Sequence, residues 1–213
     1  VGERIKVYVV DVRRGLKGLQ VTVSRSHPQL IKRLFELESP EIQSGIVRIV
    51  SIAREPGSRA KIAVTSEDPA VDPLGACVGA KGARVSQIVS ELNDEKIDVI
   101  KWSPDPAEYI ANALSPARVI MVNANEQEKV ARVVVPDNQL SLAIGKEGQN
   151  ARLTARLTGW KIDIKCQSQL EEQFDAQAFE LPEENGYNEQ FEIPDMQERA
   201  EEAAGAQPDP AEI

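Results

Sequence analysis

Apolar residues recur with helical spacing immediately before a short motif that begins and ends with glycine. Leu140, Ala143 and Ile144 lie at positions i, i+3 and i+4, which places them on one face of a helix. The motif at residues 145–148 (Gly-Lys-Glu-Gly) follows, and residues 149–157 then predict a second helix. The pattern therefore predicts two helices joined by a tight, glycine-bounded turn.

The same arrangement occurs 66 residues earlier in the chain. Residues 79–82 (Gly-Ala-Lys-Gly) form the earlier motif, and Leu74, Cys77 and Val78 precede it at the same offsets. A helical pattern and then a strand-like run follow each motif. A repeated unit of this kind is a stronger signal than either glycine motif alone, because short glycine spacings recur by chance.

The segments around the motifs complete the repeated unit. The predicted order is helix, strand, strand, helix, glycine motif, helix, strand, and its double occurrence indicates an α+β fold. The first copy has a helix at 28–40 and strands at 45–55, 59–65 and 96–102; the second has a helix at 105–114 and strands at 117–123, 129–135 and 160–166.

Two strand-like runs precede the first unit, at residues 4–12 and 19–24, with a turn between Gly15 and Gly18. An isolated two-stranded hairpin is marginally stable in water. We therefore expect partner strands upstream of it. Since the chain begins with Val1 and opens on this pattern, we interpret it as a fragment of a longer protein.

The last helix of the second unit departs from the repeat. Where the first unit has large apolar residues, the second has alanine and threonine, and its bulky Leu153 and Leu157 lie on a flanking face. We interpret this flanking face as a seam against the first unit.

Charge is distributed unevenly along the 213 residues. The net charge of −9 argues against nucleic-acid binding when it is taken as a whole. Residues 168–213, however, contain 14 acidic residues and one basic residue, whereas the preceding residues contain 20 acidic and 24 basic ones. The sequence thus predicts a mildly basic body followed by a disordered acidic tail.

Several functional classes find little support in the composition. Cys77 and Cys166 are the only cysteines, and both lie in apolar patterns that predict burial. His27 is the only histidine, which leaves little room for a metal site or a Ser-His-Asp triad. We expect no metal, no cofactor, no catalytic site and no membrane span. The absence of an export signal and the few cysteines favour the cytoplasm.

The glycine motifs suit a phosphate ligand. Glycine lacks a Cβ and lets another backbone approach closely. The helix that follows each motif presents unpaired N–H groups and a partial positive charge at its start. An anion can bind there. Acidic substitutions at Gly145 and Gly148 are therefore expected to block phosphate approach with little unfolding.

The repeated order resembles the bacterial, type II KH domain. Two such units after a basic hairpin resemble the NusA family of bacterial transcription factors, on the stretches DPLGACVGAKGARV, GSRAKIAV, EKIDVIKWS, LAIGKEGQNARL and TGWKIDIK. The hairpin itself resembles the end of an S1 (OB-fold) domain. The predicted domains are 1–27, the end of the S1 domain; 28–103, the first KH domain; 104–167, the second KH domain; and 168–213, the tail.

The resemblance implies single-stranded RNA binding, since KH domains hold about four nucleotides at this motif. The glycines allow close approach, lysines and polar side chains add phosphate contacts, and aliphatic side chains form a groove floor for bases. The predicted RNA-binding residues are Gly79, Ala80, Lys81, Gly82, Arg84, Gly145, Lys146, Glu147, Gly148, Gln149 and Arg152, with Val78 and Ile144 in the groove floor. Because Glu147 is acidic, it is expected to point away from RNA or to weaken the second unit.

The resemblance further implies partners and a role in transcription. Expected partners are nascent RNA, RNA polymerase and other transcription elongation factors, and the expected effect is on elongation, pausing, termination and antitermination. Two other interpretations remain open from the residues. One is a protein-interaction adaptor whose glycine motifs are only turns, and the other is a KH protein of ribosome assembly or RNA decay.

Overall fold

A two-stranded antiparallel hairpin opens the part of the chain that the computed structural model describes, which is residues 2, 4–16 and 18–170. Its strands are β1 (Tyr8–Gly15) and β2 (Gly18–Ser24). The predicted start at Arg4 is wrong. The chain turns away after β2, where the Ser24 hydroxyl accepts the N–H groups of Ser26 and His27, so residues 4–7 have no strand opposite them.

The first repeated unit has the predicted order, with one short helix added after the first. Its elements are α1 (Gln29–Glu38), α2 (Pro40–Gln43), β3 (Val47–Glu55), β4 (Arg59–Ser66), α3 (Pro73–Val78), a single 3-10 turn (Ala80–Gly82), α4 (Ala83–Glu91) and β5 (Lys96–Lys101). Strand β4 is central, antiparallel to β3 and parallel to β5.

Local chemistry accounts for the start of α3 and for the core behind it. The Asp72 carboxylate accepts the N–H groups of Leu74 and Gly75, and Pro73 occupies the first helical position. The helices pack on one face of the sheet, and the Cys77 side chain is fully buried among them. Burial raises the pKa of the Cys77 thiol to about 12, as expected for a small apolar core residue.

The second unit repeats the architecture. Its elements are α5 (Pro106–Ala113), β6 (Met121–Asn125), β7 (Val130–Val135), a 3-10 turn (Asp137–Gln139), α6 (Leu140–Ile144), a second 3-10 turn (Lys146–Gly148), α7 (Gln149–Thr158) and β8 (Lys161–Cys166). Strand β7 is central, antiparallel to β6 and parallel to β8. The predicted fold, two successive units of type II KH order, is confirmed.

Strand β6 begins four residues later than predicted. Pro116 has no N–H to donate, and the Ala117 N–H closes a turn on the carbonyl of Leu114. The strand register therefore starts only at Met121, which faces Val134.

The predicted seam is confirmed. Leu153 and Leu157 of α7 are buried against the face of the first sheet formed by Ala53, Ala63 and Ile100. The helix thus packs on its own sheet and on the neighbouring unit at the same time. This double burial explains why its apolar pattern differs from that of α4, which lies in one unit only.

Three polar side chains in the seam, those of Ser51, Lys61 and Tyr109, are paired. The hydroxyl groups of Ser51 and Tyr109 both donate to the Leu157 carbonyl, at 2.9 and 3.1 Å. The fully buried Lys61 donates to the Ser115 carbonyl at 2.8 Å and lies 3.1 Å from the Asp98 carboxylate. Burial lowers the pKa of Lys61 and raises the pKa of Tyr109 to about 12. Satisfied polar groups of this kind fix one arrangement of the two units.

The predicted acidic tail from residue 171 onward lies outside the described residues. Its first part touches the second unit, because the Ser168 hydroxyl donates to the Asp137 carboxylate at 2.7 Å. Within the described residues, no helix has the length and apolar character needed to cross a membrane.

Candidate nucleic-acid interface

The first glycine motif is a tight turn between α3 and α4. Gly79 has φ 73° and ψ 175°, a combination that is essentially restricted to glycine. Lys81 (φ 51°, ψ 28°) and Gly82 (φ 80°, ψ 12°) are left-handed. A left-handed lysine is uncommon, and such backbone strain is concentrated at functional sites.

The second motif has the same backbone. Gly145 has φ 76° and ψ 171°, Glu147 has φ 53° and ψ 25°, and Gly148 has φ 75° and ψ 15°. Each torsion lies within a few degrees of its counterpart in the first motif. We call residues 79–82 loop 1 and residues 145–148 loop 2.

The first glycine of each loop is required by space as well as by torsion. A Cβ on Gly145 would lie 2.8 Å from the backbone nitrogen of Asn150, and one on Gly79 would lie 2.8 Å from Arg84 Cγ. A Cβ on Gly82 or Gly148 would meet nothing closer than 3.9 Å. The expectation that acidic substitution at Gly145 causes little unfolding is therefore wrong, because backbone must move to admit any side chain there.

The middle residues of the loops are exposed and carry different charges. Ala80 and Lys81 in loop 1, and Lys146 and Glu147 in loop 2, all face solvent. By backbone position Lys81 corresponds to Glu147, and Ala80 corresponds to Lys146. The two loops thus present their lysines at different places on the same backbone frame.

Arg84, just after loop 1, is bound within its own unit. One terminal nitrogen donates to the Ala76 carbonyl at 2.6 Å and to the Glu41 carboxylate at 2.9 Å. The side chain therefore ties α4 to α3 and α2. The RNA contact of Arg84 remains a prediction. Its guanidinium already donates to protein groups and would have to share or exchange them to contact RNA.

Gln149 and Arg152, just after loop 2, reach across the seam. The Gln149 amide donates to the Glu55 carboxylate at 2.8 Å and to the Ser58 hydroxyl at 2.7 Å. Arg152 donates to the other Glu55 oxygen at 2.8 Å and to the Glu147 carbonyl at 3.1 Å. Hydrogen bonds from Arg152 and Gln149 lower the pKa of Glu55. Loop 2 is consequently held in place by the first unit.

The two aliphatic residues predicted for the groove floor lie at the ends of the preceding helices. Val78, the last residue of α3, is half-buried, and Ile144, the last residue of α6, is 38% exposed. Both remain available to an apolar ligand surface.

Sequence reasoning missed the residues that surround loop 2 from the first unit. A cavity of about 390 Å³ lies beside the loop, between the two units, and its lining includes Arg59, Lys96, Lys146 and Asn150. Glu55 was not singled out either. Glu55, Arg59 and Lys96 are distant in sequence from the motif and come close to it only through the seam, so the motif pattern carries no signal for them.

Each loop, with a helix start behind it, offers a position that suits a phosphate, and the seam packs both loops on one frame. Helices α4 and α7 each begin directly behind a glycine-bounded loop, where helix N–H groups and the helix dipole favour an anion. Among the described residues, no group of three or more His, Cys, Asp or Glu side chains could hold a metal ion.

Two family models match consecutive parts of the chain. The model described as the NusA-like first KH domain matches residues 25–102, and the NusA-like second KH domain matches residues 106–172. Together the two matches span more than half of the 213 residues.

Curated relatives agree with these models. Transcription termination/antitermination protein NusA of Halalkalibacterium halodurans is 62% identical over 170 residues, which is 80% of this chain and 44% of the relative. The same-named protein of Bacillus subtilis is 60% identical over 170 residues, covering 80% of this chain and 46% of the relative. That of Thermus thermophilus is 52% identical over 164 residues, covering 77% and 42%.

The chain therefore spans less than half the length of these three relatives. The first unit matches the model of the first NusA-like KH domain and the second unit matches the model of the second. The chain therefore belongs to the NusA family.

Proposed function

We propose that this chain binds single-stranded RNA through loops 1 and 2 and serves as the RNA-holding part of a transcription termination and antitermination factor. The observation that carries the proposal is the matched backbone of the two loops. Each loop opens a helix, and the buried seam holds both in one arrangement. The role is binding rather than catalysis.

The proposed ligand contacts are those predicted from the sequence. The glycines admit the sugar–phosphate backbone, Lys81 and Lys146 add charge, and Val78 and Ile144 support bases. Arg84, Gln149 and Arg152 are bound to protein groups in the free chain, so their contribution requires an exchange of partners. Because the two loops are fixed relative to one another, the second contact becomes intramolecular and raises the affinity above that of either loop.

The proposed partners are nascent RNA, RNA polymerase and other elongation factors in the cytoplasm. Support comes from the names of the relatives, which are termination/antitermination proteins. The proposed effect is a change in elongation, pausing, termination or antitermination. These activities concern the longer protein, of which the chain represents the part that contacts RNA.

We further propose that residues 1–27 are the end of an S1 domain, followed by KH domains at 28–103 and 104–167. The hairpin supports the first assignment, because Val9, Val12, Val21 and Val23 are each about half exposed. Apolar side chains on a two-stranded hairpin need further strands or a packing partner to become buried.

The test is RNA binding by variants altered at the exposed loop centres. In loop 1 both Ala80 and Lys81 are replaced by Asp, and in loop 2 both Lys146 and Glu147 are replaced by Asp. Asp tolerates the left-handed conformation at the third position, so folding is preserved. The matched controls carry Asn at the same positions, which keeps the shape without the charge.

Binding of a fluorescent single-stranded RNA of about a dozen nucleotides is measured over a salt titration. We expect affinity to fall steeply with salt, with a log–log slope of about −0.7 per neutralised phosphate. Each Asp pair should lower affinity by about tenfold or more relative to its Asn pair. Equal affinities of the Asp and Asn variants would contradict the phosphate-binding role, and absence of binding by the unaltered chain would favour the protein-interaction adaptor.

A further inference from the structure

Glu55, the last residue of β3, faces three donor side chains on one side of α7. Gln149 and Arg152 each donate to one of its carboxylate oxygens at 2.8 Å. A terminal nitrogen of Arg156 lies 3.7 Å from Oε1. These positions, i, i+3 and i+7, share one face of a helix. A carboxylate of the first unit therefore covers the polar face of the helix that begins behind loop 2.

The carboxylate and its partners are open to solvent. The side chains of Glu55, Arg152 and Arg156 are 22%, 46% and 55% exposed. An ion pair with this exposure is weak, because water screens both charges. The apolar part of the seam is separate and is formed by Leu153 and Leu157 against the first sheet. Another anion can thus reach the guanidinium and replace Glu55 without opening the apolar part of the seam.

The cavity of about 390 Å³ beside loop 2 surrounds one of these donors with positive charge. Its lining includes Lys96 of the first unit, Lys146 of loop 2 and Gln149, which donates to Glu55 and to the Ser58 hydroxyl. None of the described residues that line the cavity carries a carboxylate. Glu55 thus supplies an acceptor for Gln149 from outside a lining whose charged groups are all cations.

We propose that Glu55 is a built-in competitor of RNA. Its carboxylate occupies the Gln149 and Arg152 donors that a phosphate of the strand held at loop 2 needs, and it thereby lowers the RNA affinity of the chain. When RNA binds, phosphate oxygens replace the carboxylate oxygens as acceptors. This inference rests on the proposed RNA-binding function and deepens it, because it names what regulates that site.

The chemistry makes the carboxylate a direct rival of a phosphodiester. Both anions present oxygen acceptors, and a guanidinium forms charge-assisted hydrogen bonds with either. A phosphate must displace Glu55 before it gains the donors of Gln149 and Arg152, so part of its binding free energy is lost in the exchange. Removal of the Glu55 charge should therefore strengthen RNA binding. A residue that only supports the site would have the opposite effect when it is changed.

The test is Glu55→Gln, which keeps the size of the side chain and removes its charge. Affinity for a fluorescent single-stranded RNA of about a dozen nucleotides is measured over a salt titration. We expect it to rise about fivefold at moderate salt, with a log–log slope steeper by about 0.7, because one further phosphate is neutralised. An effect of a loosened fold would not steepen the salt slope.

Glu67→Gln is the matched control for net charge. Glu67 also pairs with an arginine of the first unit, since it lies 3.0 Å from Arg48 at the opposite end of β3 from Glu55. The control changes the charge of the chain by the same amount but frees no donor behind loop 2. It should raise affinity by less than about twofold.

A second measurement places the effect at Arg152. Glu55→Gln is combined with Arg152→Gln and compared with Arg152→Gln alone. The gain from Glu55→Gln should shrink below about twofold in this background, because the guanidinium that the change frees is then missing. A gain that stays fivefold without Arg152 overturns the inference, since the Glu55 charge then acts through space and not by competition for a donor.

The outcomes separate this inference from the proposed function. Salt-sensitive RNA binding that is unchanged or weakened by Glu55→Gln overturns the inference and leaves the RNA-binding proposal standing, with Glu55 as a support of Arg152. An equal gain from Glu67→Gln also overturns it, because net charge then accounts for the effect. Absence of RNA binding by both the unaltered chain and Glu55→Gln rejects both proposals.

Discussion

Loops 1 and 2 share one backbone but differ in what holds them. Behind loop 1, Arg84 binds the Glu41 carboxylate and the Ala76 carbonyl inside the same unit. Behind loop 2, Gln149 and Arg152 bind Glu55 of the other unit. Loop 1 is thus organised by its own unit, whereas loop 2 is completed by its neighbour.

This difference means that the second unit depends on the first to hold its loop, although the two units share one fold. The carboxylates that anchor the two loops have lowered pKa values, but for different reasons. Hydrogen bonding from its own backbone N–H lowers the pKa of Glu41 first, followed by Ser39 and Arg84. Hydrogen bonds from Arg152 and Gln149 lower the pKa of Glu55. Separation of the two units would therefore leave the anchor of loop 1 intact and remove the anchor of loop 2.

The largest predicted effect concerns the first glycine of each loop. Gly145→Ala should lower the free energy of unfolding by about 3 kcal/mol, because a glycine-only torsion costs about 1–3 kcal/mol and the new Cβ also meets the backbone nitrogen of Asn150. Gly79→Ala should cost about 1–2 kcal/mol, since its new Cβ meets the flexible Arg84 side chain, which can shift.

Urea unfolding of both variants measures this difference, with Gly148→Ala as the control for a left-handed glycine in open space. The control should cost about 1 kcal/mol, because its left-handed backbone is strained but the space around it is open. Equal losses at Gly79 and Gly145 would contradict the view that loop 2 is the more tightly packed of the two.

The order of elements could be predicted from the sequence because it follows from local patterns such as helix caps and helical spacing. Asp72-Pro73 caps α3 as its residue types predict, and the spacing of Leu140, Ala143 and Ile144 marks α6. Leu153 and Leu157 even indicated the seam, since their positions on α7 did not fit a helix that packs on one side only.

The surroundings of loop 2 could not be predicted in the same way. Glu55 contacts Gln149 and Arg152 across the seam, whereas Asn150 binds carbonyls of two segments of its own unit, at Leu114 and in α6. Neither contact follows from spacing along the chain, because each depends on how separate segments pack. The strand start at Met121 was missed because the chain first turns onto the end of α5.

A charge exchange sharpens the comparison of the loop centres. Lys81→Glu should lower RNA affinity about tenfold at moderate salt, because it replaces an attraction to phosphate with a repulsion at the strained third position. Glu147→Lys, at the same backbone position of loop 2, should raise affinity about fivefold by adding a phosphate contact. Fluorescence titrations of both variants against one RNA measure these changes.

The double variant with both substitutions is the control, since it keeps the net charge of the chain. Its affinity should lie between those of the two single variants, with the salt slope close to that of the unaltered chain. If Glu147→Lys left affinity unchanged while Lys81→Glu weakened it, loop 2 would not lie on the phosphate path.

The smallest predicted effect concerns the ion pair between Glu55 and Arg152 across the seam, and it is tested by the pH dependence of stability. Because the pKa of Glu55 is lowered in the folded chain, its ion pair stabilises the fold above the unfolded value of about 4.3 and is lost as pH falls through the folded value. Glu55→Gln should therefore lower the free energy of unfolding at pH 7 by less than about 1 kcal/mol, since the partner Arg152 is substantially exposed. As pH falls below about 4.3, the difference in stability between the variant and the unaltered chain should shrink. Urea unfolding at a series of pH values from 7 downward checks this, and a loss that does not shrink with falling pH would show that the Glu55 side chain acts by packing instead of by charge.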